Sequence, residues 1–455
     1  MKKSQASRVG VTLALASMML AACSGNNEGG GANGNAPAPE ASGNGGNGAK
    51  QEKVKLTLWH NFAGDDLRAK TVRSFIDQFK QDNPDVELDA QAIPPDGYRQ
   101  RLATVAAANE MPDLSFVYAG SHSTELYKAG LLQPITELID ANPEWKGKFL
   151  PGAFDPYTFE PNQIYTAPLG MSATSILYYN TSLFEKHGVK VPTTWDEMLA
   201  AIKTFNDNGV TPIALGNKAP WVAQSTIIGS LADRVTGTEW FKNAAAQKDA
   251  KFTDAPFVEA LGYFKQLVDN KAFQEGANSI DNTQAEQYFI QGNAAMMVSG
   301  AWTLTNLAAA ASEEQMKPID VTVLPAIPGG KGDANTITGG AGGGLALSSR
   351  TTGAAKEAAL KLIYTLSGPE AQKAIAESNS MVMYDTEIDQ SKVTSLYYKA
   401  FNLVKKTGIT PVYDAILSAE SAEALNNGLQ ELMMGGKPED VAQKVQDAQA
   451  RSVTP

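Results

Sequence analysis

The chain has 455 residues with one Cys, three His and a net charge of −11 at pH 7. This excess of Asp and Glu repels phosphate backbones, so nucleic acid is not an expected partner. A lone Cys excludes an internal disulfide and a thiolate metal site in the folded body. The length exceeds what one hydrophobic core usually supports, so we expect two domains.

Residues 1–22 have the pattern of a secretory signal peptide. Three cationic residues lie near the start, and an apolar segment of twelve residues, Val9 to Leu20, follows. A membrane-spanning helix needs about 20 apolar residues, so this segment is too short to remain as an anchor. Residues 20–23 (Leu-Ala-Ala-Cys) resemble the bacterial lipobox, and Cys23 stands at its acylated position. We expect cleavage before Cys23 and a lipid on that residue.

Residues 23–52 are rich in Gly, Asn, Ala, Pro and Ser. Such a segment buries too little apolar surface to offset the entropy of ordering, which predicts a disordered linker. A flexible coil of roughly 27 residues has an end-to-end distance of about 30 Å. Loss of the three cationic residues of the signal lowers the net charge by three, from −11 to −14.

From residue 53 onward, strand patterns alternate with helix patterns. Alternating apolar and polar residues predict strands, and apolar residues at helical spacing predict helices. Strand, helix and strand in succession indicate parallel βαβ units and an α/β fold. In the first part of the body the predicted strands are 53–59, 86–93 and 114–118, and the predicted helices are 67–82 and 98–109.

The alternation continues after Tyr165. Thr194 with Glu197 three residues later predicts a capping box, and Trp195 falls on the apolar face of the helix that follows. We therefore assign Trp195 to the core. Four Ala-rich and Leu-rich helices are predicted near the end of the chain, at 354–366, 369–377, 419–434 and 438–450.

The segment Phe289 to Trp302 contains three structural signals. A helix is predicted to end at Ile290, Gly292 favours the left-handed turn that follows, and 295–298 form a short apolar strand. Gly300 ends that strand. The sequence therefore places Trp302 at the edge of a sheet, where clefts of α/β proteins lie.

Enzyme signatures are weak in this chain. The three His show neither HExxH nor a two-His-carboxylate spacing, which disfavours a zinc hydrolase. The glycine-rich segment 339–344 lacks the Lys-Ser/Thr pair of a phosphate loop and leads into a strand pattern. Close backbone approach or a crossing between lobes explains those glycines better. A pair of carboxylates could serve a glycosidase, but the sequence does not give their separation.

Several segments together resemble family 1 extracellular solute-binding proteins, the sugar-binding lipoproteins of ABC importers. These segments span nearly all of the folded body, and the resemblance rests on their order and spacing. The segments are LTLWHNF, MPDLSFVYAG with LYKAGLLQPI, IYTAPLGMSATSILYYNTSLFEKHGVKVPTTWDEM, FIQGNAAMMVSGAW and GLQELMMGGKPEDVAQKVQ.

The resemblance implies a two-lobed, maltose-binding-protein-like α/β fold of the type II periplasmic-binding class. Each lobe would hold a mostly parallel sheet flanked by helices, and several chain crossings would form the hinge. Lobe one would contain residues 53–163 and 345–384, and lobe two residues 164–344 and 385–455. The implied protein is a monomer that binds a carbohydrate without a cofactor, docks on permease subunits and is held at the membrane by its lipid.

A sugar presents apolar ring faces and a belt of hydroxyls, so its site needs aromatic platforms and fixed polar groups. Trp302 and Trp221 are the platform candidates, because Trp302 follows the strand described above and Trp221 lies in the loop GNKAPW. In the family, the Trp of the matching GAW motif commonly stacks on sugar. Loop positions after strands, or positions where the family often contacts ligand, add six candidates: Asn61, Asp65, Tyr118, Ser121, Met171 and Tyr413.

Two alternative functions stay open on the sequence alone. A lipid-anchored glycan hydrolase would use a carboxylate pair and would release products from an oligosaccharide. A sugar-sensing lipoprotein would use the same binding to signal to a membrane receptor. The binding-protein interpretation predicts neither catalytic residues nor bond cleavage.

Overall fold

The computed structural model describes residues 53–453. The predicted signal peptide, Cys23 and the linker lie outside the described residues. The described range contains fifteen strands: β1 Val54–His60, β2 Val86–Ala92, β3 Leu114–Val117, β4 Leu132–Gln133, β5 Thr158–Glu160, β6 Gln163–Ile164, β7 Thr166–Pro168, β8 Met171–Ala173, β9 Ile176–Asn180, β10 Thr211–Ala214, β11 Ala294–Ser299, β12 Ile319–Val323, β13 Thr336–Ala341, β14 Gly344–Ser348 and β15 Gly408–Pro411.

The same range contains nineteen α-helices, several of them a single turn. They are α1 Leu67–Asp82, α2 Pro95–Ala107, α3 Ser121–Lys128, α4 Thr136–Asp140, α5 Pro143–Gly147, α6 Thr181–Lys186, α7 Trp195–Asp207, α8 Trp221–Ala223, α9 Gly229–Thr236, α10 Thr238–Ala245, α11 Ala255–Asp269, α12 Asn282–Ile290, α13 Trp302–Ala310, α14 Glu313–Met316, α15 Gly353–Ser367, α16 Pro369–Glu377, α17 Ser395–Lys406, α18 Ala419–Met433 and α19 Pro438–Val453. Within the described residues, none of these helices is both long and apolar enough to cross a bilayer.

Two sheets form the centres of the two lobes. The first has the order β2-β1-β3-β14-β4, with β7 also paired to β14, and the second has the order β10-β11-β9-β12. In the first sheet β14 runs against its neighbours β3, β4 and β7, which all share the direction of β1 and β2. In the second sheet β9 is the reversed strand. Most strands of each sheet therefore share one direction, as predicted, although five of the eight strand pairings in these two sheets are antiparallel.

Each reversed strand enters its sheet directly from a third sheet, which has the order β15-β13-β8. Two residues join β8 to β9, and two residues join β13 to β14. The chain thus passes between the third sheet and each lobe's sheet through links of only two residues.

Close backbone packing explains the glycine-rich segment at the second crossing. A Cβ on Gly339 would lie 2.3 Å from the carbonyl oxygen of Ser172, and a Cβ on Gly344 would lie 2.2 Å from that of Ala167. Any side chain at these positions would push the paired strands apart. The expected close approach is confirmed.

Three clusters of buried residues form the core. The first core takes its members from residues 56–169 and 341–384. The second core comes from residues 177–327 and 413–445, and the third from residues 173–337 and 381–400. The second and third cores lie on opposite faces of the second sheet, because on β9 Leu177 belongs to one and Tyr178 to the other.

The first predicted lobe boundary falls a few residues too early. Residues 164–169 were assigned to lobe two, but Ile164 and Leu169 pack in the first core, and β7 pairs with β14 of the first sheet. Ala341 also belongs to the first core. The chain leaves this core after Leu169, at β8.

Local sequence signals explain many element boundaries. The capping box of Thr194 and Glu197 is present at the start of α7, and Trp195 is only 2% exposed, as predicted. At α12 the capping box is formed by Asp281 and Gln284. Thr283 and Glu286 fit the same pattern, but both lie inside α12, where Glu286 is buried.

Candidate functional site

Trp302 begins α13, immediately beyond the end of β11. Helix α12 ends at Ile290, Gly292 adopts a positive φ of 77°, and β11 follows, in agreement with the sequence analysis. A Cβ on Gly300 would lie 2.1 Å from Cζ3 of Trp302, so the missing side chain lets the indole fold over the strand end. The Nε1 of Trp302 is buried and has no hydrogen-bond partner among the described residues.

Trp221 lies against Trp302. The ring centroids are 5.5 Å apart and the planes meet at 71°, an edge-to-face pair. The loop before Trp221 is held by Asn217, whose Oδ1 accepts a hydrogen bond of 3.0 Å from the backbone N–H of Ala223. Both indoles are half-buried. The structure therefore brings together the two Trp residues that the sequence selected.

A buried carboxylate supports the first turn of α13. Glu286 of α12 accepts hydrogen bonds from Thr303 at 2.7 Å, Asn306 at 2.8 Å and Asn282 at 2.9 Å. Burial raises the pKa of Glu286 to about 7, although these three bonds favour the ionised form. This network fixes α13, and with it the backbone that carries Trp302.

A polar group from lobe one faces the same region. Asn61 Nδ2 donates a 2.7 Å hydrogen bond to the hydroxyl of Tyr118, while Asn61 Oδ1 is buried without a partner among the described residues. The guanidinium of Arg99 lies 4.3 Å from the ring centroid of Tyr118. Burial raises the pKa of Tyr118, so the phenol stays protonated.

Arg68 is a polar residue of this wall that sequence reasoning missed. Its Nη2 lies 3.5 Å from the carbonyl oxygen of Leu169, at the first crossing, and its guanidinium lies 5.2 Å from the ring centroid of Phe62. Its Nε is buried and has no partner among the described residues. Burial lowers the pKa of Arg68, and the charge of Asp66 opposes that shift. Its position in the first turn of α1, beside the predicted Asn61–Asp65 loop, was the available signal.

The start of helix α1 lies beside helix α13. Helix α1 of lobe one contacts α13 of lobe two. The charge of Asp66, at the start of α1, also contributes to the raised pKa of Glu286, which accepts a hydrogen bond from Thr303 of α13. The loop before α1, which carries Asn61, and the first turn of α13, which carries Trp302, therefore lie in the same region of the molecule.

Three further predicted residues differ in their surroundings. Asp65 is exposed in the loop before α1. Met171 is half-buried on β8 and packs against the first and third cores. Ser121 already has a partner, because its Oγ donates a 2.7 Å hydrogen bond to the carbonyl oxygen of Asp414. Ser121 thus connects lobe one to the loop after β15.

The structure places the Tyr413 side chain among core residues, and its predicted contact with ligand stays a prediction. The residue is 1% exposed and belongs to the second core. Its ring stacks on Phe241 with centroids 3.6 Å apart and planes within 2°. The 3-10 turn Tyr413–Ala415 directs this side chain inward, while the next residue, Asp414, pairs with Arg99 at 3.0 Å.

Sequence reasoning also missed Gln224, which follows α8. It is 0% exposed, and neither its Oε1 nor its Nε2 has a hydrogen-bond partner among the described residues. A polar residue within an apolar helical segment gives no clear sequence signal. Only its burial and missing partners identify it.

Comparison with solved structures supports a two-lobed binding-protein fold. A structure from a study of xylan utilization by the thermophilic bacterium Caldanaerobius polysaccharolyticus has a TM-score of 0.79 and 30% identity, covering 87% of this chain and 99% of that chain. A chitin oligosaccharide binding protein has a TM-score of 0.80 at 24% identity, covering 88% and 99%. The second similarity shows the fold alone. The chain is thus built as a two-lobed solute-binding protein.

Residues 64–373 match the family of bacterial extracellular solute-binding proteins, and the chain belongs to that family. A xylose/arabinose-binding protein of Haloferax volcanii is 28% identical over 253 residues, which are 54% of this chain and 53% of that protein. A multiple sugar-binding protein of Streptococcus mutans is 25% identical over 310 residues, covering 67% and 69%. The match with the Haloferax protein spans about half of that relative's length.

Proposed function

We propose that this protein captures a carbohydrate between its two lobes and delivers it to the permease of an ABC transporter. We propose further that this carbohydrate is an oligosaccharide. The pair formed by Trp221 and Trp302 carries this proposal. Two indoles whose planes meet at 71° offer one flat face and one edge to a sugar ring. The unpartnered Nε1 of Trp302 and Oδ1 of Asn61 supply a donor and an acceptor for hydroxyl groups.

The names of relatives support the same class of ligand. One relative is named for xylose and arabinose and another for multiple sugars. We assign Trp302, Trp221, Asn61 and Tyr118 to ligand contact, and Asp65 and Met171 to the rim. Ser121 takes part through its bond to the loop after β15. No bond of the sugar is made or broken in this function, so the protein is a binding protein and not an enzyme.

Capture follows from closure of the lobes on a hinge at the crossing sheet β15-β13-β8. We place lobe one at 53–169 and 341–384, and lobe two at the remaining described residues. A ligand that contacts both walls binds the closed arrangement better than the open one, and this difference in affinity shifts the population toward closure. The permease can then distinguish loaded from empty protein.

The protein acts outside the cytoplasm as a monomer tethered by acylated Cys23. The signal pattern of residues 1–22 and the lipobox-like segment support this placement. Replacing Cys23 by Ala should release the protein from the membrane fraction into the medium. Mass spectrometry of the membrane-bound form should find diacylglycerol on Cys23, and an unmodified thiol there would contradict the tether.

Calorimetry of the mature protein against xylotriose, triacetylchitotriose, maltotriose and stachyose tests the binding function. We expect saturable binding of at least one of these sugars. Chromatography after incubation should recover that sugar intact, whereas shorter products would favour the glycan hydrolase. Tight binding of a peptide or polyamine with no sugar binding would contradict the ligand class. Deletion of the gene should abolish uptake of the bound sugar, while loss of a transcriptional response alone would favour the sugar-sensing lipoprotein.

A further inference from the structure

Gln224 lies in a π-helical segment, Gln224–Ile228, inside a continuous helix that runs from Trp221 to Thr236. A π-segment widens the helix by one residue per turn and weakens its backbone bonding. Such segments occur frequently at functional sites. The first residue of this segment is the one whose side-chain amide is fully buried and unpartnered.

An unpartnered buried amide is costly to the folded protein. A primary amide has two donor hydrogens and one acceptor oxygen, and burial removes the water that would bind them. Most buried polar side chains have at least one partner. Three other buried Gln side chains, Gln372, Gln446 and Gln449, do form hydrogen bonds to the protein. Gln372 lacks a partner at its Oε1 only, whereas Gln224 has no hydrogen-bond partner at either polar atom among the described residues.

The position of Gln224 relates it to the aromatic pair. It follows Trp221 by three residues, and side chains three apart on a helix lie on neighbouring parts of its surface. The π-segment also contacts β11, the strand whose end carries Trp302. Gln224 therefore lies one helical turn from Trp221, in a segment that contacts the strand leading to Trp302.

The segment is fixed to the crossing sheet on its other side. The hydroxyl of Thr338 on β13 lies 3.4 Å from the carbonyl oxygen of Ser225. A Cβ on Gly229 would lie 3.3 Å from Cγ2 of Thr338, so the helix and the strand are in tight contact. Such support holds Gln224 in place without using its amide.

We propose that Gln224 is a specificity-determining residue of the sugar site. Its amide binds two adjacent hydroxyl groups of the ring that packs on Trp221 and Trp302, accepting from one and donating to the other. This assignment rests on the proposed function, because it deepens the same site. It implies a ligand with a free vicinal diol at that ring, and it predicts discrimination against analogues that lack either hydroxyl.

The test compares Gln224→Met with a matched control, Gln449→Met. Gln449 is also buried, but its Nε2 donates to the carbonyl oxygen of Ala245 at 2.7 Å and its Oε1 accepts from the N–H of Ser418 at 3.1 Å. The melting temperature of the ligand-free protein and the Kd for the tightest sugar of the panel above are measured for both variants. Monodeoxy analogues of that sugar are then compared.

For Gln224→Met we expect a melting temperature equal to or above that of the wild type, because the change removes an unpartnered polar group. We expect its Kd to rise by about 10-fold or more, since two hydrogen bonds to ligand are lost. For the wild type, one monodeoxy analogue should bind about 10-fold more weakly than the parent sugar. For Gln224→Met, that analogue and the parent sugar should bind with equal affinity. Gln449→Met should show the reverse, a lower melting temperature with unchanged Kd.

Two outcomes would overturn this assignment. Unchanged affinity of Gln224→Met, with the wild type binding sugar, would contradict the role of Gln224 and leave the proposed function intact. A fall in melting temperature like that of Gln449→Met would show that the amide has a partner within the protein. Failure of the wild type to bind any sugar of the panel would instead contradict the proposed function itself.

Discussion

Trp302 and Tyr413 occupy similar places in the sequence but different places in the molecule. Both follow a strand that ends at a sheet edge, β11 for Trp302 and β15 for Tyr413. Trp302 is half-buried, whereas Tyr413 is 1% exposed and stacked within the second core. One residue is arranged as a platform and the other as an anchor.

The neighbouring residues explain this difference. Gly300 leaves room for the Trp302 indole to lie over the strand end, on the side of the cleft. Tyr413 lies in a 3-10 turn that directs its ring inward and turns Asp414 toward lobe one. An aromatic residue after a strand thus becomes a ligand platform only where the adjacent backbone allows its ring to remain at the surface.

Replacing Tyr413 by Ala should have the largest effect. The change removes a stacked aromatic ring from the second core and should lower the free energy of unfolding by about 3 to 5 kcal/mol. Denaturant unfolding measures this loss. Trp302→Ala is the matched control and should change the free energy of unfolding much less. A Tyr413→Ala variant with unchanged stability and weakened sugar binding would return Tyr413 to the ligand site.

Glu286 makes the support of Trp302 sensitive to pH. Its pKa is raised by burial from 4.5 to about 7, so the folded state holds a proton that the unfolded state releases. Its contribution to stability should therefore fall as pH rises from about 4.5 to about 7, by roughly 3 kcal/mol in total. Glu286→Gln removes this contribution, so the variant should gain stability relative to the wild type over that range.

The difference between Glu286→Gln and the wild type, measured by unfolding from pH 4.5 to 8, isolates this effect. Burial lowers the pKa of His60 to about 4 and that of His122 to about 3, and Arg73 and Arg99 add smaller shifts in the same direction. These two residues cost stability as pH falls below about 6.5, the opposite trend, in both proteins. A pH-independent difference between the two proteins would contradict the raised pKa of Glu286.

Much of the fold could be predicted because its signals are local. Pro369 begins α16 as predicted, and α18 and α19 begin at the predicted residues. Helix α13 was missed because its first turn, Trp302 to Thr305, has no capping side chain and directly follows a glycine that the strand pattern treats as a stop. The two Trp platforms carry aromatic signals, but Gln224 and Arg68 are distinguished by buried polar atoms that lack partners among the described residues, the amide of Gln224 and the Nε of Arg68. That property depends on tertiary packing, which residue order does not give.

Replacing Trp302 by Ala should weaken sugar binding by more than about 1 kcal/mol while leaving the fold intact. Part of the loss comes from the apolar ring face and part from the Nε1 donor, so Trp302→Phe should recover some of the affinity. Calorimetry with the tightest sugar of the panel measures both variants. Unchanged affinity together with a large fall in melting temperature would assign Trp302 to the core, beside Tyr413.

The smallest effect is expected from the ion pair that the loop after β15, which carries Tyr413 and Asp414, makes with the other lobe. Arg99 and Asp414 pair at 3.0 Å across the cleft, with 45% of the Arg99 side chain exposed. An ion pair with this much solvent contact contributes about 0.5 to 1 kcal/mol, and salt screens it. Because the pair joins the lobes, this energy should appear as sugar affinity. Arg99→Ala and Asp414→Asn should each raise the Kd by about 2-fold to 5-fold at low salt.

A double-mutant cycle separates this pair from the other contacts of Arg99. The Arg99→Ala, Asp414→Asn double variant should bind no more weakly than Arg99→Ala alone, because the second change removes a bond already lost. The coupling should shrink at high salt. Lys203→Ala is the control, since Lys203 pairs with Asp207 at 2.6 Å within α7 and away from the cleft. Additive losses of sugar affinity in the double variant, or an equal loss of affinity in Lys203→Ala, would contradict this role of the ion pair. The loop that carries Tyr413 and Asp414 would then contribute to the core but not to closure of the lobes.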